Sequence, residues 1–429
     1  MIDLEQQIRG YYEAIIDPVD VEQLEVPSPA SMQRPVPWWR GPVVAVAAAV
    51  AVVVAISAAL LVLRGGPDPD VEPNTETIAP TPETTVPPTT SAPDEDRAAE
   101  ISDLSFEWTR VTLPGMPSKE SMPSDESTVA VFDGGLVVAA HNHVWMSPDG
   151  VNWTMTATLS GEVRDIFAGG PGLVAVSAGW AAGSGPVGIW TSTDGITWTP
   201  ADLDGSTGGT LRAVTGRGTD LVAVGYGLVA TSSDGVTWTG TSPGPVWMHD
   251  VTVGGPGFVA VGGSEDDGWS AAWTSQDGIT WSKHPFGPTS GSWMMTEMMA
   301  VTTGGPGFVA VGHGPYEGPD GGDVFGASRP WVWTSPDGFT WTRAPHIPDL
   351  SIAAGLRDVA TYGDTLVAVG SGTEGAAAVF TSNDGLTWQQ LPHDALCNPW
   401  AMTSVVQYGD KLVAAGGDSV WIGTPQPSE

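Results

Sequence analysis

From residue 101 onward, apolar residues come in short runs separated by turn-forming residues. One stretch reads Asp250–Val253, then Gly254-Gly255-Pro256-Gly257, then Phe258–Val261. After a variable segment come Ala272–Ser275, Asp277-Gly278 and Thr280–Ser282. Short β-branched and aromatic runs bounded by glycine, proline and aspartate predict strands, here four in succession, A to D. The Gly-Gly-Pro-Gly run would join A to B. Asp-Gly would join C to D, since aspartate bonds nearby backbone and glycine tolerates positive φ.

The C–D turn belongs to a repeated phrase, Ser-x-Asp-Gly-x-x-Trp, found at Ser147–Trp153, Ser192–Trp198, Ser232–Trp238, Ser275–Trp281, Ser335–Trp341 and Ser382–Trp388. Successive copies start 45, 40, 43, 60 and 47 residues apart. That spacing matches one four-stranded propeller blade. Trp108, within Phe106-Glu107-Trp108-Thr109-Arg110, resembles a strand D without its turn. Thr403–Ala415 and Val420–Ile422 resemble strands A, B and C without a D. The expectation is an all-β, seven-bladed β-propeller over 101–429 whose last blade is closed by the N-terminal strand. Such closure pairs edges that would otherwise be exposed.

The first hundred residues follow other patterns. In 1–42, Leu4, Ile8, Tyr11, Tyr12, Ile15 and Ile16 are spaced for a short amphipathic helix, which Asp17-Pro18 should end. This segment could dock an intracellular partner or lie on the membrane. Residues 43–63, Val43 to Leu63, carry no charge. At ~1.5 Å per residue they would span a ~30 Å hydrocarbon core as one transmembrane helix. Trp38 and Trp39 stand where interfacial anchors would. The long polar segment before the run argues for an uncleaved signal-anchor. Arg34 and Arg40 precede it and only Arg64 closely follows, which favours an inside N-terminus. Residues 64–100 are rich in Pro, Thr and acidic groups, as an extended stalk would be. The expected placement is the cell membrane, single-pass, with the C-terminal domain outside.

Charge narrows the partners. Fifteen basic against 49 acidic residues give a net charge of −34. Such a chain repels nucleic acid and anionic lipid. One cysteine, Cys397, allows no intrachain disulfide.

The repeated phrase resembles the Asp-box of the BNR repeat group, which includes sialidases and many propellers without catalytic activity. The group's pattern is Ser-x-Asp-x-Gly-x-x-Trp, and every copy here lacks the residue between Asp and Gly. The resemblance implies a structural, peripheral turn role for Asp149, Asp194, Asp234, Asp277, Asp337 and Asp384. Sialidases also use an arginine triad, a tyrosine nucleophile and a Phe/Tyr-Arg-Ile-Pro motif, and the motif is not present.

Candidate chemistry collects on the D–A and B–C loops. Trp180, Trp269 and Trp331 fall in or beside B–C loops, and Trp247, Trp293 and Trp400 in D–A loops. The seven histidines, His141, His143, His249, His284, His313, His346 and His393, are assigned to the same face. A variable loop face on a rigid scaffold suits binding, and tryptophan suits sugar stacking or protein anchoring. Aligning the blades on strand B gives a ring at the start of strand A: Ser127, Arg164, Arg212, His249, Met299, Arg357 and Thr403. Its arginines could grip a carboxylate or phosphate, or pair with Asp165, Asp250 and Asp358 nearby. The ligand-binding set is therefore Arg164, Arg212, His249, Arg357, Trp247, Trp293 and Trp400. His141-x-His143 would place two rings on one side of a strand, but no third metal ligand is visible. The loops at Glu265-Asp266-Asp267 and Asp320-x-x-Asp323 match no trusted calcium spacing. No metal or cofactor is expected.

The leading functional expectation is a membrane-anchored, extracytoplasmic propeller that binds a glycan or protein partner. One alternative is a glycan-active hydrolase or lyase using Glu297, Asp250 or Asp358 as acid and base. Another is a structural or assembly factor.

Overall fold

The computed structural model describes residues 105–116, 125–178, 187–205, 208–244, 246–264, 270–285, 296–317, 323–344, 355–372, 376–391 and 401–426. The segments expected at 1–42, 43–63 and 64–100 lie outside the described residues. Among the described residues, no helix is long and apolar enough to cross a membrane.

The described strands form a β-propeller. Seven inner strands, Ser127–Phe132, Glu162–Gly169, Thr210–Arg217, Val246–Gly254, Glu297–Gly304, Gly355–Tyr362 and Ser404–Tyr408, lie side by side in chain order around a channel. The last lies against the first. Hydrogen bonding groups the strands into five separate four-stranded sheets and one nine-stranded sheet. As free-standing blades there are thus five, not the seven expected. The strands between 202 and 285 share the nine-stranded sheet, bridged where Tyr226 sits opposite Trp247. Asp202–Asp204 also adds in parallel to Thr237–Thr241.

One sheet joins distant parts of the chain. Ser105–Thr112 pairs antiparallel with Ser419–Gln426, with Trp108 opposite Gly423. Phe106 of this closing strand meets Tyr362 edge-on at 5.3 Å.

The core lies between neighbouring blades. In Gly257–Ser264, Phe258 and Ala260 pack towards the preceding blade, while Val259 and Val261 pack towards the following one. All four are buried. Middle strands covered on both faces read as continuous apolar runs, which the sequence shows. Each large apolar side chain so buried contributes about 1.5–3 kcal/mol.

The repeated phrase builds one hydrogen-bonded turn. Ser192 Oγ donates to Asp194 Oδ1 at 3.0 Å and accepts the Gly195 N–H at 2.8 Å. Asp194 Oδ1 accepts the N–H groups of Ile196 and Thr197 at 2.9 and 2.7 Å. Trp198 Nε1 donates to the Gly195 carbonyl at 3.2 Å. Asp149, Asp234, Asp277, Asp337 and Asp384 likewise accept two backbone N–H groups each. In Asp194 these bonds, from Thr197 first and then Ile196, hold the carboxyl below its ordinary range. The turns are tight because the glycine takes positive φ, 69° at Gly195. The residue after each glycine projects into solvent: Val151, Ile196, Val236, Ile279, Phe339 and Leu386 are all exposed.

Candidate binding site at the channel mouth

Five inner strands carry a register shift near their start. The extra residue lies between Val163 and Asp165, Leu211 and Ala213, Met248 and Asp250, Met298 and Ala300, and Leu356 and Asp358. The bulged residues are Arg164, Arg212, His249, Met299 and Arg357. A β-bulge re-aims a side chain relative to its strand. In four of the five the opposing strand carries glycine there, Gly225, Gly262, Gly312 and Gly370, and opposite the Arg164 bulge it carries Ser177. A Cβ on Gly262 would collide with the Trp247 carbonyl oxygen, and one on Gly312 with that of Glu297. The two remaining ring residues meet at the seam. Thr403 Oγ1 donates to the Ser127 carbonyl at 2.8 Å and accepts the Ser127 N–H at 3.0 Å.

All seven predicted ring residues line one cavity of about 120 Å³, together with Glu126, Asp165, Asp250 and Asp358. The ring alignment therefore brings distant residues to one place. The Asp partners assumed for the arginines do not take that role. Asp165 accepts the N–H of Ile166 at 2.8 Å and, on its other oxygen, that of Val214 on the next inner strand at 2.9 Å. Asp250 links Val251 and Val301 in the same way, each at 2.7 Å. Asp358 links Val359 and Val405, also each at 2.7 Å. The gap between inner strands leaves these N–H groups without strand partners, and the carboxylates satisfy them. The three carboxylates act as clamps between neighbouring inner strands. Burial pushes Asp165 up to about 6 and raises Asp250 and Asp358, despite some area open to the channel.

The arginines find glutamates instead. Arg164 pairs with Glu126 and, at 2.8 Å, with Glu162. Arg212 pairs with Glu126 at 3.0 Å and lies over the Tyr226 ring at 5.3 Å. Burial and then the nearby Arg212 lower Arg164 to about 10. Both glutamates were missed in the sequence, although signals were there. Glu126 directly precedes a ring position, and Glu162 lies two residues before Arg164 on the same strand.

Beside Arg212 the mouth holds imidazole and aromatic groups. His249 contacts Tyr226 Oη at 3.3 Å through Nε2 and Met299 Sδ at 3.2 Å through Nδ1. Burial first, then Arg212, His313 and Arg357, push its pKa well below the ordinary value. Glu297 faces His313, with Oε2 and Nε2 3.8 Å apart. Burial lowers His313, partly offset by Glu297.

Other candidates land elsewhere. Trp247 sits within Val246–Gly254, not in a loop, its ring 6.0 Å from that of Tyr226. Trp331 lies inside Asp323–Ser335, with Arg343 4.2 Å from its ring centre. Trp180, Trp269, Trp293, Trp400, His346 and His393 lie outside the described residues. His284 departs from the shared face: it sits in the outer strand Ser282–Pro285, edge-on to Phe339 of the next blade's turn at 5.4 Å. His141 and His143 do not share one side of a strand. His141 has φ 56° in the turn and is buried, while His143 bonds Thr158 at 2.9 Å. Among the described residues no three His, Cys, Asp or Glu side chains gather as a metal site. The loops at 265–267 and 320–322 lie outside the described residues.

No family model matches the chain, and no curated protein matches it. Solved structures do. A structure of YCF48 bound to D1 peptide aligns with a TM-score of 0.53 at 15% identity, covering 75% of this chain and 96% of that one. A catalytically inactive variant of virginiamycin B lyase from Staphylococcus aureus, with quinupristin, aligns at 0.53 and 14% identity, covering 75% and 99%. At such identities the likeness is one of fold, and the fold is the β-propeller.

Proposed function

We propose that this chain is a membrane-anchored binding propeller that takes a protein partner at its channel mouth, through an acidic or carboxylate-bearing peptide element. The observation carrying this reading is the bulge ring. Five inner strands give up regular pairing at equivalent positions, and three of the five bulged residues are arginines in a chain of net charge −34. Arginine presents a planar fork suited to carboxylates. Tyr226 and Trp247 beside the ring supply aromatic surface of the kind that anchors partners. The uncharged run 43–63 and the Pro/Thr-rich stretch 64–100 support an anchor and stalk that hold the propeller outside the membrane. YCF48 holding a D1 peptide is a precedent for peptide binding on this fold.

A glycan remains the other ligand class, and the same experiment separates the two. Full-length chain in neutral detergent is applied to immobilised peptides and glycans, beside Arg357→Gln. Retention on acidic peptides, lost in the variant, is the expected result. Retention on glycans alone would replace the peptide reading.

A further inference from the structure

Resting on that reading, we propose that Arg357 is the seat for one ligand carboxylate, while Glu126 is the chain's own carboxylate on the arginines across the channel. In ring order the residues run Ser127, Arg164, Arg212, His249, Met299, Arg357, Thr403, which sets Arg357 opposite the Arg164–Arg212 pair. Glu126 bridges that pair, one oxygen to each guanidinium. Arg164 gains a second carboxylate from Glu162. The pair is thus already supplied with anionic charge from within the chain.

Arg357 is not. Its neighbour Asp358 spends both oxygens on the N–H groups of Val359 and Val405. Glu297 faces His313. Met299 and Thr403 flank Arg357 in the ring and carry no charge. Among the described residues no hydrogen bond or ion pair reaches the Arg357 guanidinium, although it lines the same cavity. A half-buried guanidinium facing a narrow cavity suits one bidentate carboxylate. The cavity's small volume and the chain's acidity disfavour a long polyanion there.

A small free acid and a peptide C-terminus carry the same group, so the test uses both. Full-length chain in neutral detergent is titrated by calorimetry with N-acetylglycine, with a blocked tetrapeptide ending in a free carboxylate, and with that tetrapeptide as its amide. The seat predicts one equivalent of acid bound, at least tenfold weaker binding of the amide, and at least tenfold weaker acid binding in Arg357→Gln. Glu126→Gln frees Arg212 and should raise the N-acetylglycine stoichiometry from one to two. Binding of the peptide but not N-acetylglycine would assign the seat to a chain terminus, with the Glu126→Gln stoichiometry then read on the peptide. Equal binding of acid and amide would overturn the seat while leaving peptide binding at the mouth intact. Unchanged binding in Arg357→Gln, a stoichiometry of one in Glu126→Gln, or no binding of any probe would each overturn the seat. Thermal melting of each variant distinguishes loss of the seat from loss of the fold; Arg357→Lys replaces Arg357→Gln, and Glu126→Ala replaces Glu126→Gln, where the glutamine variant fails to fold.

Discussion

Asp250 reaches from its own inner strand to the backbone N–H of Val301 on the next, at 2.7 Å. Asp165 to Val214 and Asp358 to Val405 repeat the arrangement, and Ser404 Oγ accepts the Val129 N–H at 3.2 Å across the closing seam. Side chains thereby hydrogen-bond neighbouring inner strands where ladder bonds are missing. Asp165→Ala leaves two backbone N–H groups unpaired, at about 1–3 kcal/mol each where they are fully buried. A fall in the denaturation midpoint with unchanged slope is the expected outcome. A variant as stable as the parent would show that water satisfies these groups.

The same clamps give stability an unusual pH dependence. The folded pKa of Asp165, about 6, exceeds its ordinary 3.8. Between those values the folded state holds a proton that the unfolded state has lost. Stability from this group is full below about 3.8 and is lost as pH rises through about 6. Asp250 and Asp358 act in the same direction. The turn aspartates act oppositely: their depressed values stabilise the fold above the ordinary carboxylate pKa, and that contribution is lost on acidification below it. Melting temperature should therefore rise as pH is lowered from 7 towards 5, then fall at stronger acidity. Asp165→Asn should flatten the upper slope. A melting temperature that falls steadily from pH 7 to 5 would contradict the assignment.

The repeated turns separate two residue types within one phrase. Asp194→Ala removes the acceptor for Ile196 and Thr197 and should lower the denaturation midpoint, as loss of a comparable backbone-capping group does. Ile196→Thr, two residues away and exposed, should change stability by no more than about 0.5 kcal/mol. Chemical denaturation of both variants reads the contrast.

Closure depends on the N-terminal strand. Trp108 is buried against the closing sheet, and Phe106 packs on Tyr362. Trp108→Ala should cost about 3–5 kcal/mol. Deleting 105–112 exposes the edge of Ser419–Gln426 and should produce oligomers in size-exclusion chromatography. A monomeric deletion variant with the parent's melting temperature would show that the seam is dispensable.

The repeat made the propeller legible because six tryptophans and six Asp-Gly turns fall at blade spacing. The seam was readable for the same reason, since Trp108 has a strand-D context without its turn. The ring was readable because alignment on strand B carries position around the channel. Its electrostatics were not. Sequence adjacency suggested that Arg164 would pair with Asp165, but the bulge sends the aspartate to a backbone N–H while Glu126, 38 residues earlier, meets the arginine. The merging of two blades into one sheet was also hidden, because it depends on a single pairing, Tyr226 with Trp247.

The central claim, that partners meet the mouth and not the turn face, is tested most directly by photocrosslinking in native membranes. A photoreactive amino acid is placed at Met299 in the ring or at Ile279 on an exposed turn. A discrete adduct formed from position 299 and absent from position 279 is the predicted result. An adduct from position 279 with none from position 299 would contradict the account.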